Sequence, residues 1–275
     1  MRAPDLSQTV AVVAGASRGV GRGVALALGE AGATVVVTGR TLRSARRRDV
    51  AGSIDETARE VSRLGGRGVA VQADHTRVED VRALVETVRQ REGRLDVLVN
   101  AVWGGAEAAP DARPVWEQPL ARWDATMRSG VWAALLTARF AAPLLIRSAG
   151  LVVTVAAADR GDGSLFDGLA GGALARLAAE LAQDVRPHGV TSVAVVPGRV
   201  RTERRLAAAG AAERTWARVP ELAGTESPRY AGRGVAALAA DPARFTLTGG
   251  ALTSADLARR YGVTDTDGTQ PGLAP

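Results

Sequence analysis

The sequence predicts a single α/β domain built on a doubly wound parallel sheet with helices on both faces. Apolar, β-branched runs alternate with helix-length segments, and no break in this alternation marks a second domain. The length of 275 residues suits one large α/β domain or two small ones, and 46% apolar residues is ordinary for a soluble globular protein. We expect a core over residues 7–252 and a C-terminal tail over residues 253–275.

The first half of the chain contains four predicted strands. Short valine-rich runs are typical of strands that are buried in a parallel sheet. Ser53 to Glu56 is a capping-box pattern, which predicts a helix that ends near Leu64, before two glycines. The predicted strands cover residues 9–14, 34–38, 69–73 and 95–99, and the predicted helices cover residues 20–28, 53–64 and 77–91.

The second half continues the same alternation. Apolar residues at helical spacing predict one long helical segment or two over residues 123–146, and further helices over 169–185 and 228–240. Strands are predicted at residues 151–155 and 190–196, with a last short strand within 245–252.

The residue types that are scarce exclude several kinds of chemistry. All 35 basic residues are arginine, and the chain has no cysteine, one asparagine, two tyrosines and two histidines. Without cysteine there is no disulfide and no zinc–thiolate site, and without lysine there is no Schiff base and no P-loop lysine. Two histidines cannot form a three-histidine site, so we expect no metal.

The net charge of +6 raises the question of a nucleic-acid partner. Abundant arginine, alanine and glycine indicate a bias of the whole composition instead, and the dense run Arg46–Arg48 has no interleaved aromatic residues. We expect no nucleic-acid partner. The N-terminus has no apolar leader, and the most apolar stretch, residues 131–146, is shorter than the ~20 residues that a bilayer requires. A cytoplasmic protein with no membrane partner is therefore predicted.

A glycine-rich turn joins the first predicted strand to the first predicted helix. Its pattern is Gly15-x-x-x-Gly19-x-Gly21. A dinucleotide pyrophosphate approaches backbone amides at a helix N-terminus, where a Cβ would obstruct it. The position after a strand favours cofactor binding over the alternative, a tight turn in a glycine-rich chain.

The end of the second strand indicates which dinucleotide is bound. A carboxylate about 20 positions after the glycines would bind the ribose 2′-hydroxyl of NAD. Here Arg40 follows a threonine and a glycine, and with Ser17 and Arg18 it would neutralise the 2′-phosphate of NADP. NADP is therefore predicted over NAD, although arginine is common enough for Arg40 to stand there by chance.

These motifs, taken together, resemble the short-chain dehydrogenase/reductase family over nearly the whole chain. Within the family, the sequence is similar to the dehydrogenase/reductase member one subgroup. The motifs are the turn at residues 15–21, Thr38-Gly39-Arg40, Asp74, Asn100, Trp103-Gly104-Gly105, Pro197-Gly198, the segment 257–262 and Asp267-Gly268.

The resemblance implies a Rossmann-type fold with a nicotinamide cofactor. It also implies a homodimer or homotetramer, formed through the long helices. By resemblance, the turn would hold the pyrophosphate and adenosine ribose, Asp74 would face the adenine, Asn100 would lie against a ribose, and Thr202 would meet the nicotinamide carboxamide. The predicted cofactor-binding residues are Gly15, Ser17, Arg18, Gly19, Val20, Gly21, Arg40, Asp74, Asn100, Pro197, Gly198 and Thr202.

The catalytic half departs from the family pattern of Asn, Ser, Tyr and Lys. The expected serine position reads Ala156-Ala157-Ala158, and the expected Tyr-x-x-x-Lys region, residues 166–173, contains neither residue. No asparagine stands at 127–130, where the resemblance places the relay asparagine. The family's standard mechanism is therefore not supported, and the active site is predicted to be atypical.

Asp167 stands where the family tyrosine is expected, if the helix is matched backward from Pro197 without a gap. It is the candidate catalytic residue, since a desolvated aspartate can act as an acid or base. The alternative is an N-cap of a helix that begins at Gly168. Arg199, Arg201 and Arg204 are further candidates, as a clamp for an anionic substrate.

Three functional interpretations remain open. The first is an NADP(H)-binding enzyme with a degenerate site, a specialised or tailoring oxidoreductase that acts on a small organic molecule. The second is a non-redox enzyme on the same fold, such as a cyclase, dehydratase or isomerase. The third is a cofactor-binding pseudoenzyme or partner subunit.

Overall fold

A seven-stranded parallel sheet forms the centre of the computed structural model, which describes residues 4–43, 52–104, 113–156 and 165–272. The strand order is β3-β2-β1-β4-β5-β6-β7, and every pair is parallel. The strands are β1 (Val10–Ala14), β2 (Thr34–Gly39), β3 (Arg67–Gln72), β4 (Val97–Asn100), β5 (Leu151–Val155), β6 (Thr191–Val196) and β7 (Ala251–Thr253).

Helices cover both faces of the sheet. Successive strand residues point to opposite faces, and both sets are apolar, so each face is buried under a layer of helices. Ala11 and Val13 of β1 face α1, α2, α8 and α9, while Val10 and Val12 face α3, α5 and α6. The helices are α1 (Gly19–Glu30), α2 (Ile54–Arg63), α3 (Val78–Glu92), α4 (Ala121–Trp123), α5 (Ala133–Ser148), α6 (Leu165–Val185), α7 (Glu203–Ala208), α8 (Pro228–Ala240) and α9 (Ser254–Tyr261). The predicted doubly wound α/β fold is confirmed.

The observed elements lie close to those predicted from sequence. The first six strands match within two residues at each end, and α8 has the predicted bounds. Ser53 caps α2, since its side chain accepts a hydrogen bond from the Glu56 amide. Two helices were not predicted, α7 and α9. Leu257 and Tyr261 of α9 belong to the hydrophobic core, so part of the segment expected to be a tail packs against the sheet layer.

One long helix runs from Ala121 to Ser148. It comprises α4, a π-helical segment (Asp124–Trp132) and α5. Within the described parts of the chain, it alone is long and apolar enough to cross a membrane by length and composition. Half of the most apolar stretch of this helix is buried inside the fold. α5 packs against β4 and α3, as a core helix of an α/β domain does.

Candidate functional site

The glycine turn follows β1 at the point where the strand order reverses, between β1 and β4. Ligands of open α/β sheets bind at this switch point, beside the carboxyl ends of the strands. Gly15 has φ +80°, and a Cβ placed on it would lie 2.6 Å from the carbonyl oxygen of Ala101. A Cβ on Gly21 would collide with the carbonyl oxygen of Gly15. The turn therefore requires glycine at both positions.

The first amide of α1 already binds a carboxylate. The N–H of Gly19 donates a hydrogen bond of 2.8 Å to Oε2 of Glu203, the first residue of α7. Arg22 Nη1 lies 3.5 Å from the other oxygen of the same carboxylate. Arg18 is the N-cap of α1 and makes no side-chain capping bond, while its Nη2 donates to Thr41 Oγ1 at 3.3 Å. The N-terminus of α1 therefore binds a carboxylate of the same chain.

Asn100 ends β4 beside Ala14, the last residue of β1. Its side chain is buried, and Nδ2 donates a hydrogen bond of 3.4 Å to the Ala134 carbonyl. Among the residues that the structure describes, no group donates to its buried Oδ1. A buried acceptor without a donor is costly, so this atom is open to a partner from a bound molecule.

Arg40 and Asp74 lie together at the ends of β2 and β3, where both line a cavity of about 370 Å³. The cavity extends along α3 and does not reach the glycine turn, so it is not by itself a dinucleotide site. Burial alone raises the pKa of the Asp74 carboxyl, but hydrogen bonds from Thr76 and the charge of Arg40 outweigh it and lower the pKa overall.

Thr202 lies close to the glycine turn. Its Cγ2 lies 3.6 Å from the place of a Cβ on Gly19, and its hydroxyl caps α7 by accepting from the Arg205 amide. Behind this loop, the buried carboxylate of Glu226 lies 3.0 Å from the place of a Cβ on Gly198. Burial raises the pKa of Glu226 to about 7, against the hydrogen bonds that Ser254 and the Gly198 amide donate to it.

The predicted arginine clamp is wrong for Arg201. Its side chain is fully buried and forms ion pairs with Asp265, at 3.2 Å, and with Glu213, at 3.0 Å. The guanidinium also stacks on Trp216, 4.1 Å from the ring centroid. These contacts join the loop after β6 to the C-terminal segment, and they leave no free face for an anionic substrate.

Asp167 is not the N-cap of its helix, because α6 begins at Leu165 and places Asp167 in the first turn. The helix starts earlier than predicted, since Phe166 is buried and packs edge-on against Trp123 with 6.2 Å between ring centroids. Asp167 Oδ2 accepts a short hydrogen bond from Arg122 Nη2. The side chains are 18% and 6% exposed, so a buried ion pair stands at the expected tyrosine position.

Both tyrosines lie outside this region. The Tyr230 hydroxyl donates to the Pro271 carbonyl at 3.3 Å, and the Tyr261 hydroxyl donates to Asp241 at 2.7 Å. Burial raises the pKa of each to about 12, whereas a tyrosine that donates a proton near neutral pH needs a lowered pKa.

The other expected catalytic positions carry apolar or small residues. Ala156 is buried after β5, and residues 157 and 158 lie outside the described residues. Gly171, four residues after Asp167, is buried in α6. The stretch 127–130 lies in the π-helical segment, where a Cβ placed on Gly130 would lie 3.4 Å from the indole of Trp103. The described residues contain no group of three or more metal-binding side chains.

Sequence reasoning missed Glu203, Glu226 and Arg122. Each acts on a residue far away in the chain: Glu203 on Gly19, Glu226 on Gly198, and Arg122 on Asp167. The one local signal was the position of Glu203, directly after the predicted Thr202.

The sequence matches a known family and named relatives. Residues 9–210 match the family model of the short chain dehydrogenases. The chain is 39% identical over 279 residues to Dehydrogenase/reductase SDR family member 1 of Mus musculus, and 38% identical over 285 residues to the Homo sapiens protein of the same name. Each match covers 98% of this chain and 86% of the relative.

Solved structures share the fold. A putative dehydrogenase from Xanthomonas campestris superposes with a TM-score of 0.80 at 22% identity, covering 97% of this chain and 94% of that one. L-Sorbose reductase from Gluconobacter frateurii, complexed with NADPH and L-sorbose, gives 0.76 at 22% identity, covering 99% and 100%. The family match and the near full-length relatives decide the assignment: the chain belongs to the short-chain dehydrogenase/reductase family.

Proposed function

We propose that this protein is an NADP(H)-binding member of its family with an atypical active site, a specialised or tailoring oxidoreductase that acts on a small organic molecule. One observation carries the proposal: at the switch point of the sheet, the glycine turn leaves no room for a Cβ and presents the Gly19 amide to an anion. Family membership supports a nicotinamide cofactor, and Arg40 in place of a carboxylate supports the phosphorylated form.

The described residues fit a dinucleotide. A Cβ on Gly15 or Gly21 would collide with the backbone of Ala101 or of Gly15, so glycine keeps the turn tight at the start of α1. The buried Oδ1 of Asn100 lacks a donor within the described part of the chain. In this proposal the amides of residues 17–20 hold the pyrophosphate, Arg40 pairs with the 2′-phosphate, Asp74 faces the adenine, and Thr202 with Pro197-Gly198 borders the nicotinamide. The cofactor, when bound, supplies a hydride donor or acceptor.

The catalytic half supports a slow or unusual reaction. A general acid contributes roughly 10²- to 10⁴-fold to rate, and the expected tyrosine position holds Asp167 in an ion pair with Arg122. This pair also favours a second candidate, in which the protein binds the cofactor as a non-redox enzyme or pseudoenzyme. In the oxidoreductase, positioning of the hydride by the bound cofactor would still contribute to the rate.

The test separates these candidates. NADPH, NADP⁺ and NADH are titrated by fluorescence, and NADPH consumption is then followed against a panel of ketones and aldehydes. Binding with turnover supports the oxidoreductase. Binding without turnover moves the assignment to the second candidate, and absence of binding by all three nucleotides contradicts the proposal.

We further propose a homodimer or homotetramer in the cytoplasm. Members of this family commonly form oligomers and act on small molecules. An apolar groove of about 450 Å³ lies between α5 and α6, and Trp132 and Leu135 beside it are about 40% exposed, which supports pairing through these helices. Size-exclusion chromatography with light scattering checks this, and a monomer at micromolar concentration would contradict it.

A further inference from the structure

The carboxylate of Glu203 occupies the helix start that the pyrophosphate would use. α1 has twelve residues, and its own sequence provides no acidic residue in the first turn and no side-chain cap from Arg18. The negative charge that meets this helix start instead comes from 184 positions further along the chain, through the 2.8 Å bond between Gly19 N and Glu203 Oε2.

An anion at this place is favoured by the free amides and by the helix dipole. A carboxylate that accepts a backbone N–H and a pyrophosphate that binds a glycine turn use the same donor, so they cannot both hold the Gly19 amide fully. Arg22 lies 3.5 Å from Glu203 Oε1, and its positive charge would stabilise either anion at this place.

We propose that Glu203 is an internal competitor of the cofactor, a carboxylate that holds the pyrophosphate site until the dinucleotide displaces it. The inference rests on the proposed function, because it requires a dinucleotide at the turn. Glu203 is the first residue of α7, and the Thr202 hydroxyl caps that helix independently. Rotation of the Glu203 side chain therefore frees the amide while α7 stays folded.

Such a competitor raises the apparent dissociation constant without touching the rest of the site. The measured constant equals the intrinsic constant divided by the fraction of molecules in which the amide is free. Because the carboxylate belongs to the same chain, dilution does not weaken it. Glu203 would thus set how much cofactor is required before the site is loaded.

The experiment measures NADPH binding by fluorescence in the full-length wild type, Glu203→Gln and Glu203→Ala. Glutamine keeps the length and removes the charge, while alanine removes the contact. We expect the dissociation constant to fall about tenfold in the alanine variant and by a smaller factor in the glutamine variant, since charge-assisted hydrogen bonds are the stronger ones. The matched control is Glu221→Gln, an exposed glutamate in the same region after β6, which removes one negative charge elsewhere.

The outcomes separate this inference from the proposed function. Tighter binding in both Glu203 variants, with the control unchanged, supports the competitor. If the wild type binds NADPH and the Glu203 variants bind it equally or more weakly, the competitor is overturned and the proposed function stands. Glu203 would then only stabilise the loop by its contact with Gly19. No binding in any variant overturns both. Thermal unfolding of each variant verifies that the fold is intact.

Discussion

The glycine turn and the start of α6 border the same carboxyl edge of the sheet, yet backbone atoms determine the first and side chains determine the second. The turn is defined by backbone: Gly15 with φ +80°, the amide of Gly19, and a close approach to the carbonyl of Ala101. The start of α6 is defined by side chains, with Phe166 packed on Trp123 and Asp167 paired with Arg122.

In the proposed function, this difference accounts for a cofactor half that follows the family pattern and a catalytic half that departs from it. A backbone cradle requires glycine, and few other residues can replace it. A catalytic side chain can be replaced by any residue that packs in its place, because the surrounding fold does not depend on its proton chemistry. A chain can therefore keep the cofactor half and change the catalytic half.

The largest effect is expected from Gly15→Ala. The new Cβ lies 2.6 Å from the Ala101 carbonyl oxygen and the φ is unfavourable, so we expect a loss of roughly 3 kcal/mol in unfolding free energy and loss of NADPH binding. Gly93→Ala is the matched control, with φ +70° and nothing within 4 Å. Urea unfolding measures both. Equal losses would show that backbone conformation alone, rather than contact with the segment after β4, accounts for the effect.

The next effect concerns the buried ion pair. Asp167→Leu or Arg122→Met removes one member of the ion pair while the opposite charge stays largely buried, and we expect each to lower the unfolding free energy by about 3 kcal/mol. The double variant is expected to recover most of that loss, since two apolar residues replace the pair. Denaturant titration of the four proteins gives the coupling energy.

Turnover in Asp167→Asn distinguishes a structural aspartate from a catalytic one. A structural role predicts lost stability with cofactor affinity unchanged and any activity retained at a temperature where the variant is folded. Activity that disappears in the folded variant would instead restore Asp167 as the catalytic residue.

The limit of sequence reasoning follows the same division. Valine-rich runs and glycine positions predicted the sheet and the turn because they depend on local spacing. The pair of Arg122 with Asp167 joins residues that are 45 positions apart in sequence and lie on two helices. α7 and α9 are short helices that form because of their packing. α6 also begins earlier than its capping residues predict. Burial of Phe166 favours helix at positions where capping propensity favours a later start.

A pH dependence of stability distinguishes two buried groups behind the cofactor half. His75 lies between Thr38 Oγ1 and Thr137 Oγ1, and burial lowers its pKa from 6.5 to about 4. As pH falls through this range, the unfolded chain gains a proton that the folded chain refuses, so stability falls by about 3 kcal/mol. Glu226 has the opposite sign. Its pKa is raised from 4.5 to about 7, so stability falls by a similar amount as pH rises.

The two slopes offset each other between pH 4.5 and 6.5, and single variants separate them. In His75→Gln the remaining Glu226 should make the unfolding free energy fall as pH rises. In Glu226→Gln the remaining His75 should make it rise. Urea unfolding at half-unit pH intervals measures both slopes, and slopes of the same sign in the two variants would contradict the assignment.

The smallest effect tests which dinucleotide the cofactor half prefers. Arg40→Gln removes the guanidinium at the end of β2, so we expect the dissociation constant of NADPH to rise about tenfold while that of NADH stays unchanged, because only NADPH carries the 2′-phosphate. Arg43→Gln, an exposed arginine three residues later that lies near Glu56, is the control for a general loss of charge. Equal weakening of both nucleotides in Arg40→Gln would remove Arg40 from the 2′-phosphate. It would also mean that side-chain chemistry decides less of the cofactor half than the glycine backbone does.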